Sequence, residues 1–143
     1  VSQGRDYATQ LGFERALKSV GAAARWLRES GHRVGAVGFC WGGTVAMLAN
    51  TRLHLPSVTY YGGRSVPFLG EPALAPMLFH FGENDRLIPP EDVEKHRLHH
   101  PEATVHIYPA GHGFNCDERE DYDAESSALA WSRTIDFFEE HLR

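Results

Sequence analysis

The sequence has 143 residues, 42% apolar and 11% aromatic, with 14 Lys+Arg against 19 Asp+Glu and a formal charge of −5. That length suits one domain able to bury roughly 70% of its unfolded surface, and an acidic balance without a basic stripe argues against nucleic acid or an anionic membrane as partner. No run approaches 18 apolar residues, so no transmembrane helix is expected. Two cysteines make no disulfide framework, and the expected compartment is the cytoplasm. No signal peptide is visible, although a missing N-terminus would hide one.

Phe13, Leu17, Val20, Ala24 and Leu27 recur at spacings of three and four, which predicts an amphipathic helix over residues 9–30 that stops at Gly31. Trp26 is placed in the core on this reading. The apolar run 34–39 predicts a strand and residues 44–50 a short helix, and between them lies Gly38-Phe39-Cys40-Trp41-Gly42-Gly43. A strand, a sharp turn with a nucleophilic side chain at its apex and then a helix make a nucleophile elbow, usually G-x-S-x-G, here with cysteine. The apex residue needs a strained backbone with positive φ, and Gly38 and Gly42 let strand and helix approach, with Gly43 giving further room. A thiol there meets the free N–H groups and dipole of a helix N-terminus, which favour an anion. G-x-C-x-G alone is a weak pattern, and its bland alternative is a small buried cysteine.

Residues 58–61 read as the next strand, and the Gly- and Pro-rich stretch 62–76 as an irregular loop over the site. Residues 77–81 read as a buried strand from which Gly82-Glu83-Asn84-Asp85 turns away before Ile88-Pro89-Pro90. Asp85 is the candidate acid, Glu83 a competing carboxylate, and a turn or capping role the alternative for Asp85. A helix is expected over residues 91–100, where His96, His99 and His100 cluster on a polar surface; no cysteine or carboxylate falls at a ligand spacing, so no metal is expected. Residues 104–108 alternate like a strand, and Pro109-Ala110-Gly111-His112-Gly113-Phe114 follows as a loop, which makes His112 the candidate base. With nine histidines in the chain, His112 alone would mean little. Ala128, Trp131, Ile135, Phe138 and Leu142 mark a closing helix, with Trp131 placed in the core. Strands separated by helices imply an α/β fold with a mostly parallel sheet flanked by helices.

Nucleophile, acid and histidine thus occur in hydrolase order, each at a strand-to-loop junction. Gly38-Phe39-Cys40-Trp41-Gly42-Gly43, Gly82-Glu83-Asn84-Asp85 with Pro89 after it, and Gly111-His112-Gly113-Phe114 together resemble the dienelactone hydrolase family. The resemblance runs from about Gly12 to the final helix. It implies an α/β-hydrolase fold and a Cys40–Asp85–His112 triad acting on a small-molecule ester or lactone without a cofactor. The Trp41 backbone N–H is the expected oxyanion donor, and Tyr61 and Phe114 are candidates to wall the substrate. The Trp41 indole either lines the pocket or packs beneath the elbow.

Two departures accompany the resemblance. The family's domain has further strands and a helix before the elbow, supplying half of the oxyanion hole and a carboxylate that influences the nucleophile. Residues 1–143 are therefore expected to be a single α/β-hydrolase-like domain that forms the C-terminal part of a longer one, completed by an N-terminal segment or a second chain. Members acting on dienelactone also carry an arginine shortly after the histidine, where Cys116 stands here with Arg119 the nearest cation. This puts a carboxylated dienelactone in doubt as substrate. The competing readings are a non-catalytic hydrolase-like binding or assembly module, and a thioesterase or carboxylesterase on the same fold.

Overall fold

In the computed structural model, which describes residues 2–143, four parallel strands form one sheet in the order β1-β2-β3-β4. They are β1 (Ala36–Phe39), β2 (Ser57–Tyr60), β3 (Met77–Gly82) and β4 (Thr104–Tyr108), flanked by helices α1 (Ser2–Glu29), α2 (Trp41–Leu53), α3 (Pro90–His99) and α4 (Ala124–His141). The register sets Phe39 beside Tyr60, Tyr60 beside His80, and Gly82 beside Tyr108. Right-handed crossovers between strands laid down in sequence order carry α2 and α3 to the same face of the sheet. The other face receives α4, where Thr134 meets Tyr60 and His80. Strand–helix alternation thus gives the parallel, helix-flanked sheet that the sequence pattern predicts.

The first helix extends from Ser2, with a break at Gly12 (φ 69°, ψ 163°) where the helical conformation lapses. Ala16, Leu17 and Ala24 face α2, and Phe13 and Val20 pack at their margin, as the periodicity predicts. The placement of Trp26 in the core is corrected: it is 66% exposed. At about 100° per residue, Trp26 lies about 200° around the helix from Ala24. Trp131 is corrected likewise, at 49% exposure, because the buried stripe of α4 runs through Ser126, Ala130 and Thr134. The expected polar surface of α3 also differs. His96 and His100 fall three and seven residues after Val93, share its inward face and are buried against Phe79. Among the described residues no three ligand side chains gather as a metal site, and no helix is long and apolar enough to cross a membrane.

The α4 face of the sheet holds a polar network whose proton directions can be assigned. The Thr134 hydroxyl donates to the Ala130 carbonyl at 2.9 Å, so toward its other neighbours Thr134 Oγ1 is an acceptor. Tyr60 donates to it at 2.7 Å and His80 Nε2–H at 3.1 Å. Arg133 donates to the Tyr108 hydroxyl at 3.1 Å, and the Tyr108 hydroxyl in turn donates to His80 Nδ1 at 2.8 Å. A neutral ring with its proton on Nε2 satisfies both nitrogens of His80. Burial, then neighbouring His106 and Arg133, push His80 down to about 3.

With His80 depressed from 6.5, the unfolded chain takes up a proton that the folded chain refuses. The stability contribution of this group is complete above pH 6.5 and falls by about 1.4 kcal/mol per pH unit below it. Urea unfolding at a series of pH values from 7 to 5 is expected to show this loss. His96 and His100 are depressed in the same direction by burial, so His80→Gln should reduce the acid slope by about one proton without abolishing it.

Candidate active site

Cys40 stands between β1 and α2 with φ 51° and ψ −120°. Its N–H still bonds the Tyr60 carbonyl at 3.0 Å, one step beyond β1, before Gly43 N–H turns back to the Cys40 carbonyl at 2.9 Å. A Cβ on Gly38 would lie 1.8 Å from the Gly42 carbonyl oxygen, so strand and helix touch backbone to backbone there. The expectation for Gly42 is corrected: a Cβ there would meet nothing within 4 Å, whereas at Gly43 it would lie 2.8 Å from the Tyr60 carbonyl oxygen. Gly42 contributes its carbonyl to the close contact, and Gly43 the missing side chain. As the first helical residue, Trp41 has its N–H outside the helical ladder. Its indole packs flat on Phe13 of α1, with centroids 5.2 Å apart, so it is a packing group and not a pocket wall.

Asp85 and His112 are brought together by paired loops after β3 and β4. Glu83 N–H bonds the Tyr108 carbonyl at 2.7 Å and Asn84 N–H the Ala110 carbonyl at 3.0 Å, which zips the two turns side by side. Asp85, buried, accepts the Leu87 N–H on Oδ1 at 2.8 Å and His112 Nδ1–H on Oδ2 at 2.7 Å. Glu83, the competing carboxylate, points to solvent. Burial opposes a charge on His112, but the hydrogen bonds to Asp85 and to Cys40, with the charges of both, outweigh it and raise the imidazole to about 9. Asp85 and His112 are therefore hydrogen-bonded, with Cys40 close enough to bear on the state of the ring.

Tyr61 and Phe114 lie within the core beneath His112, both buried; the Tyr61 ring is 5.2 Å from the imidazole and 5.3 Å from Phe114. One group, Asp121, escaped the sequence reading, and Arg119 entered it only as the nearest cation. Arg119 and Asp121 fold back over the histidine loop, so a Cβ on Gly113 would lie 2.6 Å from Arg119 Cδ and one on Gly111 2.6 Å from the Asp121 carboxyl carbon. The glycines flanking His112 signalled that close approach, while the identity of what approaches depends on a turn ten residues long.

The sequence matches the model of the dienelactone hydrolase family over residues 4–142. A Yersinia pestis protein provisionally named a carboxymethylenebutenolidase is 33% identical over 147 residues, covering 89% of this chain and 55% of its own length. Carboxymethylenebutenolidase 1 of Cupriavidus pinatubonensis is 33% identical over 119 residues, covering 79% of this chain and 51% of its own. The chain spans about half the length of these relatives. A Klebsiella pneumoniae crystal structure, provisionally assigned as a dienelactone hydrolase, superposes with a TM-score of 0.84 at 28% identity over 92% of this chain and 63% of that one. A Pyrococcus furiosus esterase superposes at 0.69 with 15% identity, over 89% of this chain and 62% of its own, a likeness of fold alone.

Two outcomes are expected from this geometry. Gly38→Ala and Gly43→Ala should cost about 3 kcal/mol or more, since backbone cannot yield to the added carbon; Gly42→Ala should leave the melting temperature unchanged or raise it, through better helix propensity. Calorimetry of the three variants checks the ordering. By NMR, His112 should titrate near 9, and Asp85→Asn should bring it to 6.5 or below because burial is then less opposed. With the folded value above 6.5, the stability from this group is complete below pH 6.5 and lost as pH rises through about 9.

Proposed function

The chain belongs to the dienelactone hydrolase family, and from that premise we propose that it hydrolyses an ester or lactone through a cysteine acyl-enzyme. Cys40 is the nucleophile, His112 the proton carrier and Asp85 the group that orients His112. The observation that carries this reading is the 2.7 Å bond from His112 to Asp85 beside a thiol set on a left-handed strand-to-helix turn.

In this mechanism the Cys40 sulfur, its proton held on His112, attacks the substrate carbonyl carbon. Negative charge on the carbonyl oxygen is met by the Trp41 N–H. Collapse of the tetrahedral species breaks the carbon–oxygen bond, and His112 gives its proton to the departing oxygen. Neutral His112 then takes a proton from water, the hydroxide adds to the thioester, and the Cys40 thiolate departs as the acid is released. A thiolate is itself a good leaving group, so the proposed substrate has a better one, such as the enol oxygen of an enol ester or enol lactone.

A second oxyanion donor is proposed from outside residues 1–143. Val37 and Phe39 on β1, the strand at one edge of the sheet, leave apolar surface open, which supports a further segment or chain beside it. One missing donor costs about 2.7–4 kcal/mol of barrier in a protease oxyanion hole.

Cys40→Ala should abolish hydrolysis of dienelactone and p-nitrophenyl esters, and the intact enzyme should carry an acyl group on Cys40 with slow substrates by mass spectrometry. Iodoacetamide should modify Cys40 at least about tenfold faster than Cys116, with His112→Ala removing most of the difference. Equal, slow alkylation of the two thiols together with absent turnover would instead favour the binding-module reading. Turnover of thioesters or simple esters without enol lactones would move the substrate class while leaving the chemistry in place.

A further inference from the structure

We propose that Tyr61 is a positioning residue for the Cys40–His112 pair, its ring forming the fixed wall that aims the imidazole at the thiol. This rests on the triad reading given above and adds a residue that the triad does not contain.

Tyr61 directly follows β2 and has φ 41°. A left-handed backbone is uncommon for any residue with a Cβ and is an outlier for a bulky aromatic. Such conformations cost of order 1–3 kcal/mol and persist only where surrounding structure over-determines them. Among the described residues three non-glycines have positive φ: Cys40, Tyr61 and His54. His54 is the left-handed C-cap of α2, a routine helix ending. The other two end neighbouring strands and converge on one histidine.

The hydrogen-bond ladder holds the strained residue in place, since Tyr61 N–H donates to the His80 carbonyl at 2.8 Å. A residue in extended conformation here would continue the strand and send its side chain to the face opposite Tyr60. The left-handed turn instead leaves the two rings 6.0 Å apart, nearly perpendicular, and drives Tyr61 beneath the site. There it is wedged between Phe39, which precedes the thiol, at 6.4 Å, Phe114 at 5.3 Å and the imidazole at 5.2 Å. With 1% of its surface exposed it has no freedom to move away. Burial and then the Cys40 sulfur keep the phenol protonated, against the opposing influence of the Asn115 backbone and the charge of Arg119. The ring is thus fixed at its backbone end by strain and around its faces and edge by Phe39 and Phe114. A packing role alone would need the ring but not the strained backbone that delivers it to this spot.

Three variants test the proposal: Tyr61→Leu, Tyr61→Met, whose flexible side chain refills volume without a ring, and Tyr61→Phe, which keeps the ring. In the Leu and Met variants the NMR titration of His112 should fall by about one unit as the imidazole drifts from its partners. Alkylation of Cys40 should slow about tenfold relative to Cys116 in the same sample, and kcat should drop by roughly 10–100-fold with KM little changed. Tyr61→Phe should restore all three readouts to wild-type values. Folded Leu and Met variants with wild-type titration and alkylation would overturn the proposal, as would a Phe variant as impaired as Leu. Loss of folding in both Leu and Met would assign Tyr61 a structural role and overturn it too. Titration and alkylation do not require turnover. Their response to Tyr61 in a protein without esterase activity would therefore sink the hydrolase reading and leave the positioning role standing.

Discussion

Between Gly38 and Gly42 there is no room for a methyl group: a carbon on Gly38 would sit 1.8 Å from the Gly42 carbonyl oxygen. Because β1 and the first turn of α2 touch through their backbones, the chain must reverse at the residue between them, and Cys40 takes a left-handed conformation to do so. The same contact leaves the Trp41 N–H at the helix start, outside the helical ladder. Gly43 then nests on the Tyr60 carbonyl and Gly62, which docks α2 onto β2 as well as β1. From Gly43 to Thr51 every residue of α2 is buried, so the helix is enclosed almost all round and shows little of the one-sided pattern of a surface helix. Position of the thiol, direction of its helix and burial of that helix all follow from one backbone contact.

Two histidines on the same sheet show how neighbours decide the state of identical rings. His80 and His112 are both removed from most solvent, and burial pushes each toward the neutral form. Around His80 the partners are hydroxyls, and the nearby cation Arg133 adds to the burial effect, so the ring stays neutral and ties α4 to the sheet. Around His112 the buried Asp85 carboxylate, with Cys40 beside it, outweighs burial, and the balance reverses to about 9. The carboxylate is the difference. It reaches His112 only because the turns after β3 and β4 are zipped together by the Glu83 and Asn84 amides.

The parts of this protein that could be read from sequence are those specified over short distances. The strands, the elbow at Cys40 and the loops carrying Asp85 and His112 are each announced by a run of fewer than ten residues. Helical periodicity marked the buried side of α1 through Leu17 and Ala24, yet it did not exclude Trp26, since residue type says little about which way one position of a helix turns. In α4 the apolar stripe through Trp131 and Ile135 misled for a sharper reason. The sheet face it meets carries Tyr60, His80 and Tyr108, so the helix presents Thr134 and Ala130 where an apolar face would have presented its largest side chains. The inward turn of His96 and His100 was hidden similarly, because histidine suits either environment and only Phe79, many residues away, decides between them. Gly42 and Gly43 look alike in sequence, and only the position of the Tyr60 carbonyl separates them.

Strain at the ends of β1 and β2 explains why the candidate site lies at that edge of the sheet. Backbone outliers of this kind cost of order 1–3 kcal/mol each, a sizeable share of the net stability of a small domain. They are tolerable only where hydrogen bonds on either side are already committed. At Cys40 and Tyr61 the N–H groups still complete ladder bonds to the next strand, at 3.0 and 2.8 Å, so each chain leaves the sheet only after its last amide is satisfied. The carboxyl ends of parallel strands are where ligands bind in open α/β sheets, at the crevice where connections diverge. Here that edge has a further property: the sheet holds the backbone rigidly up to the strained residue and releases the side chain just beyond it. A thiol and an aromatic ring delivered in this way have little conformational freedom left to lose, which is the preorganisation that the proposed chemistry at Cys40 requires.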